Sequence, residues 1–234
     1  MLLESLQTNN SPREVRFPET VVKDAISVGY SVTDDLEVIV IDDGSIDGSR
    51  RILETLRARH KELLLVCHEL NRGYGAALRS GFSSATKDWV FYTDGDGQYD
   101  VADLPDLVAE VSGVDVVNGH KISRSDRWYR IWIGKAYAVL VRDIFDLPIK
   151  DIDCDFRLMR SSLLNQLDLI SDSGSICVEL VSGLDRLGAR FREVPVPHYS
   201  RQFGKSEFFQ LSRIIRMVYQ LIQLRNRMNR EEKV

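Results

Sequence analysis

The sequence predicts an α/β domain with a mixed, mostly parallel sheet flanked by helices. Three observations carry this. Short apolar runs alternate with segments of helical period, the runs are apolar on successive residues, and polar, glycine-bearing motifs follow their carboxyl ends. A continuous apolar run suits a strand buried on both faces, the condition of a parallel strand between two helix layers. Right-handed crossovers then place helices on either side, and ligands bind beyond the carboxyl ends of the strands.

Taken in order, EVIVID (37–42), LLLVCHE (63–69), WVFYTD (89–94) and DVVNGH (115–120) read as strands, with helical stretches near 49–60, 75–86 and 103–112 between them. Beyond residue 120 the period changes. A helical segment near 127–146 is followed by the loop PIKDIDCDF, a helix near 176–187, the extended FREVPVPHY and a final helix from about 206 to 228. This half reads as an α+β lobe built against the open sheet, with no internal repeat and no low-complexity tract. The expected organisation is an irregular N-terminus over 1–20, one domain over 21–205 and a basic amphipathic helix over 206–234.

At 234 residues, 44% apolar and 28% charged, the chain has the composition of one large globular domain. Cys67, Cys154 and Cys177 form no C-x-x-C pair, so neither a disulfide framework nor a zinc knuckle is suggested and a reducing cytosol fits. No window approaches 18 consecutive apolar residues, and MLLESLQTNN lacks the basic flank of a signal peptide, so a cytoplasmic location is expected. The net charge of -4 argues against nucleic-acid binding. That average hides an asymmetry: residues from Arg201 onward carry +5 and the preceding 200 carry -9. The final segment, LSRIIRMVYQLIQLRNRMNR, sets Leu211, Ile214, Ile215, Val218, Leu221 and Ile222 at helical spacing beside arginines. Such a helix either packs on its own domain or a partner, or lies on the inner face of a membrane containing anionic lipid.

Asp94-Gly95-Asp96-Gly97-Gln98 is the strongest chemical signal. Two carboxylates two residues apart in an extended segment point the same way. At a strand end they form a hard-oxygen site able to share one Mg²⁺ or Mn²⁺ with a diphosphate. The bland reading is a polar glycine turn. A calcium loop is excluded, because Tyr99 and Pro105 stand where that pattern needs Gly and Glu. Asp42-Asp43-Gly44-Ser45, with Asp47, ends the first strand, where a carboxylate can accept from a nucleobase or ribose; Ser45 or Asp47 can instead cap the next helix. Adjacent carboxylates at a buried edge repel unless a donor or cation sits between them. Asn71-Arg72-Gly73-Tyr74-Gly75 precedes a helix, but its acidic partner lies upstream, so a dinucleotide-binding dehydrogenase is excluded. What remains is a small-residue helix start that permits close backbone approach, with Arg72 able to face a phosphate or base. His60, His68, His120 and His198 show no ligand spacing.

In this order and spacing the three motifs resemble the nucleotide-binding half of family 2 glycosyltransferases with the GT-A fold. GHKISRSDRWYRIWIGK, KDIDCDFRLMR, SGSICVELV and FREVPVPHYSRQFGKS extend the likeness, over about 20–210, to members that act on polyprenyl phosphates, such as dolichyl-phosphate mannose synthases and undecaprenyl-phosphate glycosyltransferases. The resemblance implies an inverting, metal-dependent transfer from a UDP- or GDP-sugar. Asp42 and Asp43 would contact base and ribose, with Ser45 and Arg72 beside them; Asp94, Asp96 and Gln98 would hold the metal. Arg201, Gly204 and Ser206 match the R-x-x-G-x-S loop that closes over the donor diphosphate. Arg130 and Lys121 fall where relatives bind the acceptor phosphate, although Lys121 replaces the more usual Arg and lacks its bidentate fork. A sugar hydroxyl acceptor needs a general base, for which Asp155 or Asp151 is the candidate; a phosphate acceptor is already ionised and needs guidance by Arg130, Lys121 or Arg127. A nucleotidyltransferase is disfavoured, since no Gly/Lys/Arg-rich triphosphate loop stands near the start.

One departure stands out. Such enzymes begin with an apolar strand ending in Pro-x-Tyr-Asn-Glu, which walls the nucleotide site. Here SPREVRFPETVVKDAISVGY reaches the following helix without it, and MLLESLQTNN reads as no substitute. A truncated or rearranged start is expected, or a catalytically impaired relative acting as a nucleotide- or partner-binding module.

Overall fold

The computed structural model describes residues 2–4, 17–122, 139, 141–199 and 211–231. Among these residues seven strands form one sheet: β1 (Leu2–Glu4), β2 (Val38–Asp43), β3 (Leu63–His68), β4 (Trp89–Asp94), β5 (Val116–Lys121), β6 (Phe156–Arg160) and β7 (Phe191–Val196), in the order β3-β2-β1-β4-β6-β5-β7. The helices are α1 (Phe17–Val32), α2 (Ser49–Arg57), α3 (Tyr74–Ser84), α4 (Leu104–Ala109), α5 (Ser175–Arg186) and α6 (Leu211–Glu231), with a short helical turn at Ser161–Leu164.

Residue alternation within the strands explains the layers. Val38 and Val40 pack with Val22, Ala25, Leu53 and Leu56 of α1 and α2, whereas Ile39 and Ile41 pack on the other face with Ala77, Leu78 and Phe82 of α3. In β4, Phe91 joins Leu104 and Leu107 of α4, and Tyr92 joins the face covered by α3, α5 and α6. Both faces are therefore buried, so the strands are apolar on successive residues; each fully buried aliphatic side chain contributes roughly 1.5–3 kcal/mol.

One expectation is corrected, and one strand is added to those read from the sequence. The stretch read as strandless supplies β1, which lies between β2 and β4 and runs parallel to both, with Leu3 opposite Val40 and Thr93. Three residues are too few to show a period, which is why the sequence does not announce this strand. The residues after the PIKDIDCDF loop form β6, antiparallel to both β4 and β5. Its partners are remote in the chain, Trp89 opposite Arg160 and Val116 opposite Met159, so no local pattern predicts it. The other four pairings are parallel, giving the mixed, mostly parallel sheet.

Most of the segment expected to be helical over 127–146 lies outside the described residues; 141–145 are helical. The final helix starts at Leu211, and residues 200–210 lie outside the description. Among the described residues, no helix is long and apolar enough to cross a membrane.

Candidate functional site

Because β1 to β5 and β7 run the same way, their carboxyl ends share one edge of the sheet, and antiparallel β6 enters at that edge by its amino end. Register does the rest. Asp43 pairs with His68, Glu4 with Asp94, and Lys121 with Val196. Thr93 pairs with Phe156, so Asp94 and Asp155 follow side by side. The sheet thus brings together the aspartates of the Asp42–Asp43, Asp94–Asp96 and Asp151–Asp155 segments, which the sequence separates by up to 113 residues between Asp42 and Asp155.

Asp42 and Asp43 are both buried, and the structure supplies the donors that adjacent carboxylates require. Asp42 accepts from the Ser45 amide at 3.0 Å and from Arg50 Nε at 2.5 Å, and Arg50 also reaches the His68 carbonyl at 2.6 Å. Asp43 accepts from the amides of Arg72 and Gly73, both at 2.9 Å, and lies 2.6 Å from His68 Nδ1. His68 Nε2 in turn meets Ser80 Oγ at 2.8 Å. Asp43 therefore ties the end of β2 to the loop that opens α3. Helix α2 is started by Asp47, which accepts the Ser49 amide at 3.0 Å; Ser45 gives its amide to Asp42 and does not cap.

The glycines act on the same two loops. Gly44 has φ +78°, and a Cβ there would sit 2.5 Å from the Asn71 amide nitrogen, so only glycine lets the loops after β2 and β3 touch. At Gly75 a Cβ would lie 2.1 Å from the Ser171 carbonyl oxygen, and the Gly75 amide donates to the Asp172 carbonyl at 3.0 Å. The close approach expected at this helix start is thus made by the chain's own residues 171–172. Arg79 fastens the same segment, donating to Ser171 O and to Asp172 Oδ1. The Arg72 side chain is exposed above this arrangement.

Asp94 ends β4 and is half-buried. In the turn beyond it, Asp96 accepts the Gln98 amide at 2.9 Å. The Gln98 side-chain nitrogen lies 3.1 Å from His198 Nε2, and the Gln98 carbonyl accepts from the Tyr199 amide at 2.9 Å. The turn bearing the paired carboxylates is therefore joined to the segment after β7. Two histidines that sequence spacing passed over, His68 and His198, stand in the site. Only the pairing of β3 with β2 and the return of β7 bring them there.

On the other side, Asp155 accepts from the Tyr74 hydroxyl at 2.5 Å and from Cys177 Sγ at 3.6 Å. Burial, and then the charge of Asp155, push the Tyr74 hydroxyl well above its ordinary pKa, so it stays protonated and donating; burial does the same for the Cys177 thiol. Asp151 accepts the Lys121 amide at 3.0 Å and lies 3.5 Å from its ammonium, which also donates to the Asp153 carbonyl. Burial works against the Lys121 charge, but Asp151 and its neighbours outweigh it and the net shift is upward. Beneath this cluster lies Arg157, fully buried; its Nε donates to Asn118 Oδ1 at 2.6 Å and its Nη2 to the Ile152 carbonyl at 3.0 Å. Its guanidinium carbon stands 5.7 Å from the Tyr92 ring centroid. Of the remaining sequence-derived candidates, Arg127, Arg130, Arg201, Gly204 and Ser206 lie outside the described residues.

Asp94 and Asp96 are hard-oxygen donors of the kind that suit Mg²⁺ or Mn²⁺. Among the described residues no group of three His, Cys, Asp or Glu side chains forms a protein-only cage.

Residues 21–168 match the family model described as Glycosyl transferase family 2. Among solved structures, the chain is similar to glucosyl-3-phosphoglycerate synthase from Mycobacterium tuberculosis. The crystal structure of that enzyme with Mn²⁺, UDP-glucose and glycerol 3-phosphate aligns with TM-score 0.63 at 19% identity, covering 95% of this chain and 76% of that one. Its complex with Mn²⁺, UDP and phosphoglyceric acid gives 0.64 at 20% identity, covering 95% and 75%. The complex with Mg²⁺ and UDP gives 0.63 at 19%, covering 95% and 76%. At these identities the likeness is one of fold, and it agrees with the GT-A expectation.

Proposed function

Because the chain belongs to glycosyl transferase family 2, we propose that it transfers a sugar, with inversion, from a UDP- or GDP-sugar to the phosphate of a polyprenyl phosphate or another cell-envelope acceptor. The observation that carries this reading is the meeting of Asp94 and Asp96 with the Asp42–Asp43 loop at one sheet edge. In it, Ser45 and Arg72 receive the nucleoside, while Asp42 and Asp43, both buried and bonded to the chain's own donors, hold with His68 the loops that bear them. Asp94 and Asp96 hold the divalent cation, Gln98 and His198 fix their turn, and Arg201, Gly204 and Ser206 close over the diphosphate. A bound Mg²⁺ or Mn²⁺ supplies positive charge to a departing diphosphate. The M. tuberculosis enzyme, whose complexes hold UDP-glucose, Mn²⁺ and a phosphate-bearing acceptor, lends the donor and the cation the same support.

The choice of a phosphate acceptor rests on the state of the second pair of aspartates. Asp155 is bonded by Tyr74 and Cys177, and Asp151 by Lys121, so each side chain already serves the protein as an acceptor. A general base needs a lone pair aimed at the incoming hydroxyl; an acceptor that arrives ionised does not ask for one. Lys121, partly neutralised by Asp151, leaves Arg130 as the principal cation for that phosphate. The competing idea of an impaired module drew on a missing first strand and its Pro-x-Tyr-Asn-Glu end; β1 supplies a strand in that place, though without that motif.

The test is transfer from a panel of nucleotide sugars to a polyprenyl phosphate with purified protein and Mn²⁺. Asp94→Ala is expected to lower kcat/KM by about 10²–10³-fold, the scale of losing one preorganised electrostatic stabiliser. Transfer unaffected by that substitution would refute the metal assignment. Wild-type protein that binds UDP or GDP with Mn²⁺ and transfers nothing would return the impaired-module reading.

A further inference from the structure

Helix α6 carries apolar side chains on two faces, and only one is covered. On the inner face Met217, Leu224 and Met228 are buried, Leu221 packs beside them against the core, and Gln220 Oε1 accepts from Ser173 Oγ at 2.6 Å and Ser175 Oγ at 2.9 Å. Ile215, Val218, Tyr219 and Ile222 lie on the outer face, with 61%, 46%, 60% and 57% of their surface exposed. Their spacing of three, four and seven residues lines them in one stripe along the helix. At 100° per residue Arg216 falls on one flank of that stripe, Arg225 on the other, and Arg230 further along. The whole helix holds five arginines against one acid, Glu231.

We propose that this outer face seats the protein on a bilayer surface containing anionic lipid. The charge pattern selects that occupant. An apolar stripe with arginines on both sides buries its hydrocarbon among acyl chains while the guanidinium groups meet lipid phosphates. A second copy of the chain fits poorly, because paired outer faces would set arginine against arginine with almost no carboxylate to offset them. The helix is also wired to the site. Ser173 and Ser175 hold Gln220, while the preceding Ser171 and Asp172 hold Gly75 and Arg79 of α3. The surface deepens the lipid-phosphate reading, since it would hold the enzyme where such an acceptor resides, but its test needs no transfer activity.

The full chain is floated with vesicles of phosphatidylcholine alone and of phosphatidylcholine with phosphatidylglycerol. Wild-type protein is expected to float with the mixed vesicles and not with the neutral ones. Ile215→Glu with Ile222→Glu is expected to abolish flotation while the thermal unfolding midpoint stays unchanged, and Arg216→Gln and Arg225→Gln each to weaken binding about fivefold. No flotation with anionic vesicles, or full flotation of the double glutamate variant, would overturn the proposal. So would a wild-type dimer in sedimentation velocity that the same glutamates dissociate, because the stripe would then be a self-interface. Flotation without transfer to polyprenyl phosphate would leave the docking surface standing and sink the acceptor assignment; transfer without flotation would do the reverse.

Discussion

In the half of the sheet built from β3, β2, β1 and β4, carboxylates at strand ends are tied chiefly to backbone amides of neighbouring loops; in the half built from β6, β5 and β7, they are tied chiefly to buried side chains. Asp43 shows the first style, with the Arg72 and Gly73 amides on its two oxygens. Asp155 shows the second, with a phenol and a thiol, and Arg157 lies beneath it as a fully buried cation. The difference teaches where each half has room for a ligand. Amides bonded to Asp43 fix a loop's path and leave its side chains, Arg72 among them, facing outward. A network of buried hydroxyl, thiol and guanidinium groups instead fills the space below the edge, so the side proposed for the acceptor presents a shaped floor.

The comparison breaks most readily at Asp43. Asp43→Ala leaves two loop amides and His68 without their acceptor, and at about 1–3 kcal/mol for each buried group left unsatisfied the expected loss is about 3 kcal/mol by urea unfolding. The KM for the nucleotide sugar should rise with that for the acceptor unchanged; an effect confined to the acceptor would erase the distinction between the halves. Arg157→Leu comes next. It relieves the desolvation of a buried cation but strands Asn118 Oδ1 and the Ile152 carbonyl, and the second effect wins by about 2 kcal/mol. UDP binding by calorimetry should be unaltered, since Arg157 lies beneath the side proposed for the acceptor.

Tyr74→Phe sharpens the comparison, because Tyr74 opens α3 on the first side and bonds Asp155 on the second. Loss of a hydrogen bond to a charged group should cost about 1.5 kcal/mol in urea unfolding and raise the acceptor KM more than the donor KM. The smallest effect is at the sheet's far end. Asp115 accepts from the Arg190 amide and, at 3.0 Å, from Arg190 Nε, which together with the nearby charge of Arg160 holds its carboxyl below the usual range. A depressed folded pKa stabilises above the unfolded value of about 3.9 and loses that contribution as pH falls through the folded one. The difference in unfolding midpoint between wild type and Asp115→Asn should therefore be constant from neutral pH to about 5 and shrink as pH falls below the unfolded value.

Apart from β1, the first half was legible because its signals are local. The apolar runs read at 37–42, 63–69 and 89–94 and the glycine-bearing motifs after them sit within single βα units, and strands stand at 38–43, 63–68 and 89–94. In the second half β5 and β7 were legible but β6 was not, because it takes both its partners from distant segments and its second residue, Arg157, is a buried arginine, which no strand pattern anticipates. Helix α6 was half legible. The expected apolar stripe exists, but it divides: Leu221 faces the core, while Ile215, Val218 and Ile222 face outward, a partition set by what α5 and the Ser173–Ser175 segment offer.

Calorimetric titration of UDP and GDP into the wild-type protein, with and without Mn²⁺, tests the central claim most directly. A sheet edge that holds a cation through Asp94 and Asp96 beside a nucleoside loop predicts saturable binding of one of the two nucleotides, weakened at least about tenfold when Mn²⁺ is withheld. Absence of binding by either nucleotide, or binding indifferent to Mn²⁺ and to Asp94→Ala, would contradict it.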